Sequence, residues 1–169
     1  DARKNMTKEG VDRAINIIDS TDINNDNILV VYIPDIHESL AGIVAGRVKE
    51  KYNKPTIILT KSEEGVKGSA RSIEEYNMFE GLLACKELLD KFGGHPMAAG
   101  LSLQEDKVDE LRIALNNKCE LTDEDLTRKI MIDSSLPLEY LNLHLIEELN
   151  VWCFITYDER NEIYKVNIR

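Results

Sequence analysis

Residues 93–100 read Gly-Gly-His-Pro-Met-Ala-Ala-Gly, a run of small residues around one histidine. Small residues leave the backbone amides uncovered and allow a ligand to approach closely. His95 adds a hydrogen-bond donor or a positive charge. The segment favours a phosphate-binding turn formed by Gly93, Gly94 and His95. On the residues alone, a glycine pair that ends an amphipathic helix as a C-cap is the simpler alternative.

Two further segments carry polar groups suited to an anion. Residues 67–72 read Lys-Gly-Ser-Ala-Arg-Ser. In this segment the planar guanidinium of Arg71 and the hydroxyl of Ser69 can donate hydrogen bonds to phosphate oxygens. The alternative is an ordinary small polar strand, since such residues are common at sheet edges. His37 follows one predicted strand and precedes a helix that carries Arg47. Ligands of open α/β folds bind at loops of this kind, although a single loop histidine is usually only a surface residue.

Charge is unevenly distributed along the chain. The 169 residues carry a net charge of −10, which would ordinarily count against a nucleic-acid partner. However, residues 46–71 hold seven Lys or Arg against three acids, whereas residues 101–150 hold five against twelve. One flank is therefore suited to phosphates, or both are ordinary solvated surfaces. The hydrophobic fraction of 43% is enough for a core and excludes wholesale disorder.

Cysteine spacing and hydropathy narrow the class of protein further. Cys85, Cys119 and Cys153 are odd in number and far apart, which argues against a disulfide framework or a zinc knuckle and favours a reducing cytoplasm. The longest apolar run, residues 28–33, is too short to span a membrane. The chain begins without Met and without a secretory signal, so we expect it to be a piece of a longer protein.

The elements that must position these residues follow from hydrophobic spacing. Apolar β-branched runs at 28–33 and 56–60 predict buried strands, and the helical pattern of 40–52 between them completes a βαβ unit. Thr7 is the predicted N-cap of a preceding helix. The other predicted elements are a strand at 66–72, a helix from Asn77 to about residue 92, a strand at 98–103, a helix at 108–115 and a strand at 129–132.

The predicted fold class is α/β, with a mixed, largely parallel sheet flanked by helices and followed by the start of a β-rich module. Three segments are expected: 1–27 as a helix and connection, 28–134 as the α/β domain and 135–169 as a truncated following module. The last would contain a helix at 138–149 and a hairpin with strands at 152–158 and 162–168.

Together the three segments resemble the RecJ single-strand-specific exonucleases, in their DHH-associated domain. Residues 37–47 match His-x4-Gly-Ile-Val-Ala-x-Arg, and 67–72 and 93–100 follow in the same order and spacing. The resemblance covers about residues 3–150. The Gly-Gly-His-x-x-Ala-Ala-Gly pattern is specific for DHH-family phosphoesterases.

What the resemblance implies is a two-lobed nuclease whose first lobe holds two divalent ions, Mn²⁺ or Mg²⁺, and whose second lobe closes over single-stranded DNA. This chain would be the second lobe, with residues 1–27 as the linker helix and connection, 28–134 as the DHH-associated substrate-binding domain, and the N-terminal DHH domain as its missing partner. The implied substrate-binding residues are His37, Arg47, Ser69, Arg71, Gly93 and Gly94, and the implied catalytic residue is His95, which positions phosphate without binding metal. No Asp-His-His triplet occurs, so we expect this chain to bind no metal and to be inactive alone.

The sequence also departs from the family. Ile36 stands where Trp is usual, Ser39 and Gly46 stand where Gly and Ser are usual, and no Phe-Gly-x-Gly-Asn-Pro segment follows residue 150. The first interpretation is the binding lobe of a cytoplasmic 5′-to-3′ exonuclease of recombination and repair. The alternatives are a smaller DHH phosphoesterase acting on oligoribonucleotides or cyclic dinucleotides, and a stand-alone nucleic-acid-binding module like that of alanyl-tRNA synthetases. Polarity, DNA preference and metal rest on the resemblance alone, and the oligomeric state is not indicated.

Overall fold

The computed structural model describes residues 2–129, 134–136, 144, 153–158 and 163–168. Contacts within the chain define two compact units, residues 1–127 and 128–169, which we describe separately. The helices of the first unit are α1 (Ala2–Ser20), α2 (Glu38–Tyr52), α3 (Met78–Leu83), α4 (Val108–Asn117) and α5 (Asp123–Leu126). Its strands are β1 (Leu29–Tyr32), β2 (Thr56–Ser62), β3 (Gly65–Arg71), β4 (Lys91–His95) and β5 (Ala98–Leu103).

The five strands form one mixed sheet in the order β1-β2-β3-β5-β4. The predicted α/β class with a mixed sheet is confirmed, but the expectation that the sheet is largely parallel is wrong. Only β1 and β2 pair in parallel, and the other three neighbouring pairs are antiparallel. The physical reason is the length of the connections: two residues join β2 to β3 and two join β4 to β5, and so short a turn can reverse the chain but cannot cross over.

The predicted βαβ unit is confirmed, since β1, α2 and β2 follow one another and β1 lies parallel to β2. Helices α1 and α2 cover one face of these two strands in a cluster that includes Ile18, Val44 and Ile58. The prediction that Thr7 caps the first helix is wrong. Thr7 lies inside α1, where its hydroxyl donates to the carbonyl of Arg3 at 2.8 Å and so needs no terminal amide.

The opposite face of the sheet carries the larger cluster, in which α3 and α4 pack on β2, β3 and β5. Cys85 is fully buried in it, and burial raises the pKa of its thiol, as expected for a core residue rather than a reactive one.

The long helix predicted from Asn77 to residue 92 is wrong beyond its first turns. Asn77 does cap α3, since its side chain accepts from the amide of Glu80, but the helix ends at Leu83. A 3₁₀ turn (Lys86–Leu88) and β4 follow, so Gly93 and Gly94 lie within a strand and do not close a helix. Leucine and phenylalanine side chains of this stretch reach the same core from a turn and a strand as they would from a helix, and apolar spacing does not separate the two.

The predicted strands at 66–72 and 98–103 and the helix at 108–115 are confirmed as β3, β5 and α4. The second unit contains β6 (Ser134–Leu136), β7 (Cys153–Asp158) and β8 (Ile163–Ile168) in an antiparallel sheet of order β6-β8-β7. The predicted strands at 152–158 and 162–168 agree with β7 and β8. Of the predicted strand at 129–132, residues 130–132 lie outside the described residues. Of the predicted helix at 138–149, the structure describes only His144, which is helical and exposed. The domain boundaries and the following module stay predictions.

The outer edge of β1 is held by a side chain of α4. Asn116 donates from Nδ2 to the carbonyl of Ile28 at 3.0 Å, and its Oδ1 accepts from the amide of Ile28 at 2.9 Å. One side chain therefore satisfies both backbone groups at the start of an edge strand. Next to it, Arg112 forms a half-buried ion pair with Asp26.

We expect Asn116→Ala to lower the free energy of unfolding by about 1–3 kcal/mol, because a partly buried amide and carbonyl lose their partner. The matched control is Asn117→Ala, since Asn117 is the exposed neighbour in the same helix. Urea denaturation followed by circular dichroism measures both. Equal loss of stability in the two variants would show that the pair of hydrogen bonds to Ile28 contributes nothing.

Candidate functional site

Helices α1 and α2 cover one face of the sheet over β1 and β2, and α2 also borders β3. Among the described residues, the same face is largely exposed over β5 and β4. Ile58 of β2 is buried beneath α2, whereas Gly100 of β5 and Gly93 of β4, which lie in the same register row, are exposed. Side chains alternate between the faces of a strand, which fixes the other residues here. We call this surface the open shelf: Lys67, Ser69 and Arg71 of β3; Ala98, Gly100 and Ser102 of β5; and Lys91, Gly93 and His95 of β4.

The shelf consists of three rows that cross the strands. Arg71, Ala98 and His95 form the first row, Ser69, Gly100 and Gly93 the second, and Lys67, Ser102 and Lys91 the third. Neighbouring rows are two residues apart along each strand, a distance of roughly 7 Å. Cationic side chains therefore lie at both ends of the shelf, and its centre is almost bare backbone.

The central glycines are not required by the packing of this chain. A Cβ on Gly93 would meet nothing within 4 Å, and one on Gly100 would only reach the carbonyl oxygen of Gly68 at 4.0 Å. Glycine within a strand costs about 0.5–1 kcal/mol relative to alanine, so the fold gains nothing from glycine here. The missing side chains leave room directly above the backbone, which is what a closely bound ligand needs.

Gly94 has a different reason to be glycine. Its φ of +153° disfavours any other residue, and a Cβ would lie 2.3 Å from the carbonyl oxygen of Ala98. The two glycines therefore differ: Gly94 is required by the backbone conformation of β4, and Gly93 leaves the surface of the strand accessible.

The first turns of α2 form a wall beside the shelf. A groove of about 580 Å³ lies between Glu38, Ser39 and Ala41 of the helix and the second and third rows of the shelf. Farther along the helix, a Cβ on Gly42 would lie only 2.9 Å from Nη2 of Arg71. This close approach of α2 to the sheet allows the half-buried guanidinium of Arg71 to lie against the helix.

His37 caps α2 at the lysine end of the shelf. Its Nδ1 accepts from the amide of Ser39 at 3.2 Å and lies 2.8 Å from the Ser39 hydroxyl. His37 lines a neighbouring cavity together with Lys67 of the third row. His95 lies in the first row, which is four residues from the third along the strands, a distance of about 13 Å. The two histidines therefore border opposite ends of the site.

Arg47 lies apart from the shelf. It lines a separate groove between α1 and α2, together with Arg3, Lys4, Lys8 and Ile43. The structure thus brings Ser69, Arg71, Gly93 and His95 together, keeps Gly94 in the same strand, places His37 at the border and leaves Arg47 on another surface.

Comparison with known proteins accounts for this arrangement of motifs. Residues 25–121, more than half of the chain, match the family described as DHHA1 domain. The chain belongs to the DHHA1 domain family. Its similarity to the RecJ exonucleases, predicted from the three segments, is confirmed by the relatives and the fold described next.

Several curated relatives carry the name single-stranded-DNA-specific exonuclease RecJ, and two of them illustrate the similarity. The Bacillus subtilis (strain 168) protein is 35% identical over 88% of this chain and 19% of its own length. The Haemophilus influenzae protein is 36% identical over 73% of this chain and 23% of its own length. The crystal structure of RecJ in complex with Mg²⁺ from Thermus thermophilus shares the fold, with a TM-score of 0.60 and 23% identity over 69% of this chain and 18% of that one. This chain therefore spans about a fifth of the length of the relatives it matches.

Residue spacing alone did not single out Lys67, Lys91, Gly100, Ser102 and Glu38. They join the site only through strand register, apart from Glu38, whose Oε2 lies 3.2 Å from Nζ of Lys67. Within residues 2–129, where the structure is described without gaps, no carboxylate pairs with Arg71, Lys91 or His95. The shelf of this DHHA1 domain is thus a cationic surface with Glu38 at its border.

The described residues contain neither a cluster of metal ligands nor a membrane-spanning helix. No group of three His, Cys, Asp or Glu side chains is arranged there to hold a metal ion. No helix in that part of the chain is long and apolar enough to cross a membrane.

The two glycines of β4 should respond oppositely to substitution. We expect Gly94→Ala to lower the free energy of unfolding by about 2–4 kcal/mol through backbone strain and overlap with Ala98. Gly93→Ala, its matched control one residue away, should leave stability unchanged or raise it by about 0.5 kcal/mol. Thermal and urea unfolding of the two variants measure the difference, and a destabilised Gly93→Ala would contradict the open space seen above that residue.

Proposed function

We propose that the open shelf of this DHHA1 domain binds the sugar-phosphate backbone of single-stranded DNA, as one lobe of a RecJ-type 5′-to-3′ exonuclease of recombination and repair in the cytoplasm. The observation that carries the proposal is the bare centre at Gly93 and Gly100, flanked by cations on both sides. An extended polymer with regularly spaced negative charges fits such a surface. The names of the relatives support single-stranded DNA as that polymer.

Four residues of the shelf have a chemical role in this proposal. The Arg71 guanidinium offers a fork of donors for phosphate oxygens, and the Ser69 hydroxyl supplies one more. His95, exposed at the end of β4, donates to the phosphate that is to be cut and so positions it. Gly93 allows the strand to lie close to the sheet. These groups bind and orient the strand, and none of them activates water.

A divalent metal belongs to this activity, since RecJ structures of the same fold are complexes with Mg²⁺ and with Mn²⁺. The described residues of this chain do not fit such an ion, because they contain no group of three suitable ligands. We therefore place metal binding in a separate DHH lobe and derive no catalytic step through it here.

The binding role is tested with a fluorescently labelled, 5′-phosphorylated oligothymidylate and the 169-residue chain, by anisotropy at several salt concentrations. Arg71→Ala should weaken binding roughly tenfold and reduce the log-log salt slope by about 0.7, the value for one single-strand phosphate contact. Gly93→Val should weaken binding without changing the slope, because it blocks the centre and removes no charge.

The matched control is Lys86→Ala, which removes an exposed cation from the 3₁₀ turn after α3. Binding and salt slope should then stay close to those of the unmodified chain. If Lys86→Ala weakens binding as much as Arg71→Ala does, the attraction is general and the shelf is not the site.

The chain by itself should not degrade DNA. Incubation with Mn²⁺ and an end-labelled single strand should leave the oligonucleotide intact, because the described residues provide binding groups without a metal centre. Full-length RecJ from Bacillus subtilis serves as the positive control under the same conditions. Robust degradation by the purified 169-residue chain would contradict the assignment of metal chemistry to another lobe.

A further inference from the structure

We propose that the row of Lys67, Ser102 and Lys91 is a second phosphate subsite, and that Glu38 restrains it. The inference rests on the proposed function and extends it, because it gives the bound strand a direction along β3, β5 and β4. DNA would run from the Arg71 and His95 row to the lysine row.

Strand geometry separates the two ends of the shelf. The Arg71 and Lys67 rows are four residues apart, a distance of about 13 Å. A hydrogen-bond donor reaches an acceptor over about 3 Å, so one phosphate does not contact both rows with short side chains such as His95 and Ser102. The lysine row therefore holds a different phosphate from the one that His95 holds.

The third row has the composition of a phosphate site. Lys91 is exposed on the edge strand and, among the described residues, has no ion-pair partner. Lys67 lies two strands away, and Ser102 lies between the lysines with a hydroxyl as donor. Ammonium groups on flexible stems bind phosphate as point charges and converge from both sides. All three residues line the groove that also contains Ser69, Gly93 and Gly100, so the surface is continuous.

Glu38 competes with a phosphate for Lys67, because it already forms an ion pair with that lysine. Its Oε2 lies 3.2 Å from Nζ of Lys67, and both side chains are about half exposed. An ion pair with this exposure contributes little to folding. A phosphate arriving at Lys67 must break the pair and is repelled by the carboxylate. Glu38 therefore lowers affinity at this end of the shelf while Lys67 raises it.

The test compares 5′-phosphorylated oligothymidylates of two and twelve nucleotides, bound to the full 169-residue chain and followed by anisotropy. Lys91→Ala and Lys67→Ala should each weaken binding of the longer strand roughly three- to tenfold, as one solvent-exposed charged contact does, and should leave the dinucleotide unaffected. Glu38→Gln, which keeps size and removes charge, should strengthen binding of the longer strand and steepen its salt dependence. That gain should disappear in the Glu38→Gln/Lys67→Ala double variant.

The outcomes separate this inference from the proposed function. If Arg71→Ala and Gly93→Val weaken binding while the lysine variants do not, the second subsite is wrong and the shelf still binds DNA. If the unmodified chain binds neither oligonucleotide, both fail. Weaker binding by Glu38→Gln would overturn the restraining role, and equal losses for the two lengths would overturn the assignment of the lysines to a separate phosphate. Lys86→Ala again controls for general charge, and circular dichroism confirms that each variant is folded.

Discussion

The alternation of side chains along β3, β5 and β4 is the constraint on which the site depends. Val66, Ala70 and Leu101 must face α3 and α4 because they form the larger core cluster. Their neighbours in sequence are thereby forced onto the opposite face, where α2 borders β3 and the β4 residues Lys91, Gly93 and His95 are exposed. A slip of one residue in register would bury charged groups and expose the core, so the packing energy of one face fixes the chemistry of the other. The core therefore fixes which residues form the shelf.

Helix α2 determines how far the shelf extends. It packs on β1 and β2 through Val44 and Val48, and its small residue Gly42 lies against Arg71 of the next strand. The helix thus closes one side of the sheet face and leaves the remainder open. Because β4 is an edge strand, the other side ends in solvent. The groove is bounded by α2 on one side, by the sheet below and by no other element beyond β4 among the described residues. Such an open groove suits an extended polymer better than a small molecule, which binds in an enclosed pocket.

Local charge, and not the net charge of −10, decides what this surface can bind. Arg71, Lys91 and Lys67 come from different strands, and the sheet brings them to one face where Glu38 is the neighbouring carboxylate. Interactions between exposed charges fade over about 10 Å at 0.1 M salt, so distant acidic residues weaken the shelf only slightly. An acidic protein can in this way present a cationic site, and its overall charge then affects the rate of encounter more than the fit.

The sequence by itself determined the βαβ unit, through buried β-branched runs of strand length, and it singled out the three segments whose side chains suit an anion. Only the tertiary structure decided that residues 91–95 form an edge strand, because apolar side chains such as Phe92 reach the core equally well from a helix. It also decided which segments meet: Arg71 and His95 lie in one row on either side of Ala98, His37 borders the far end, and Arg47 faces another groove. Register and helix packing join residues that are far apart in the chain, and spacing along the chain carries no record of those contacts.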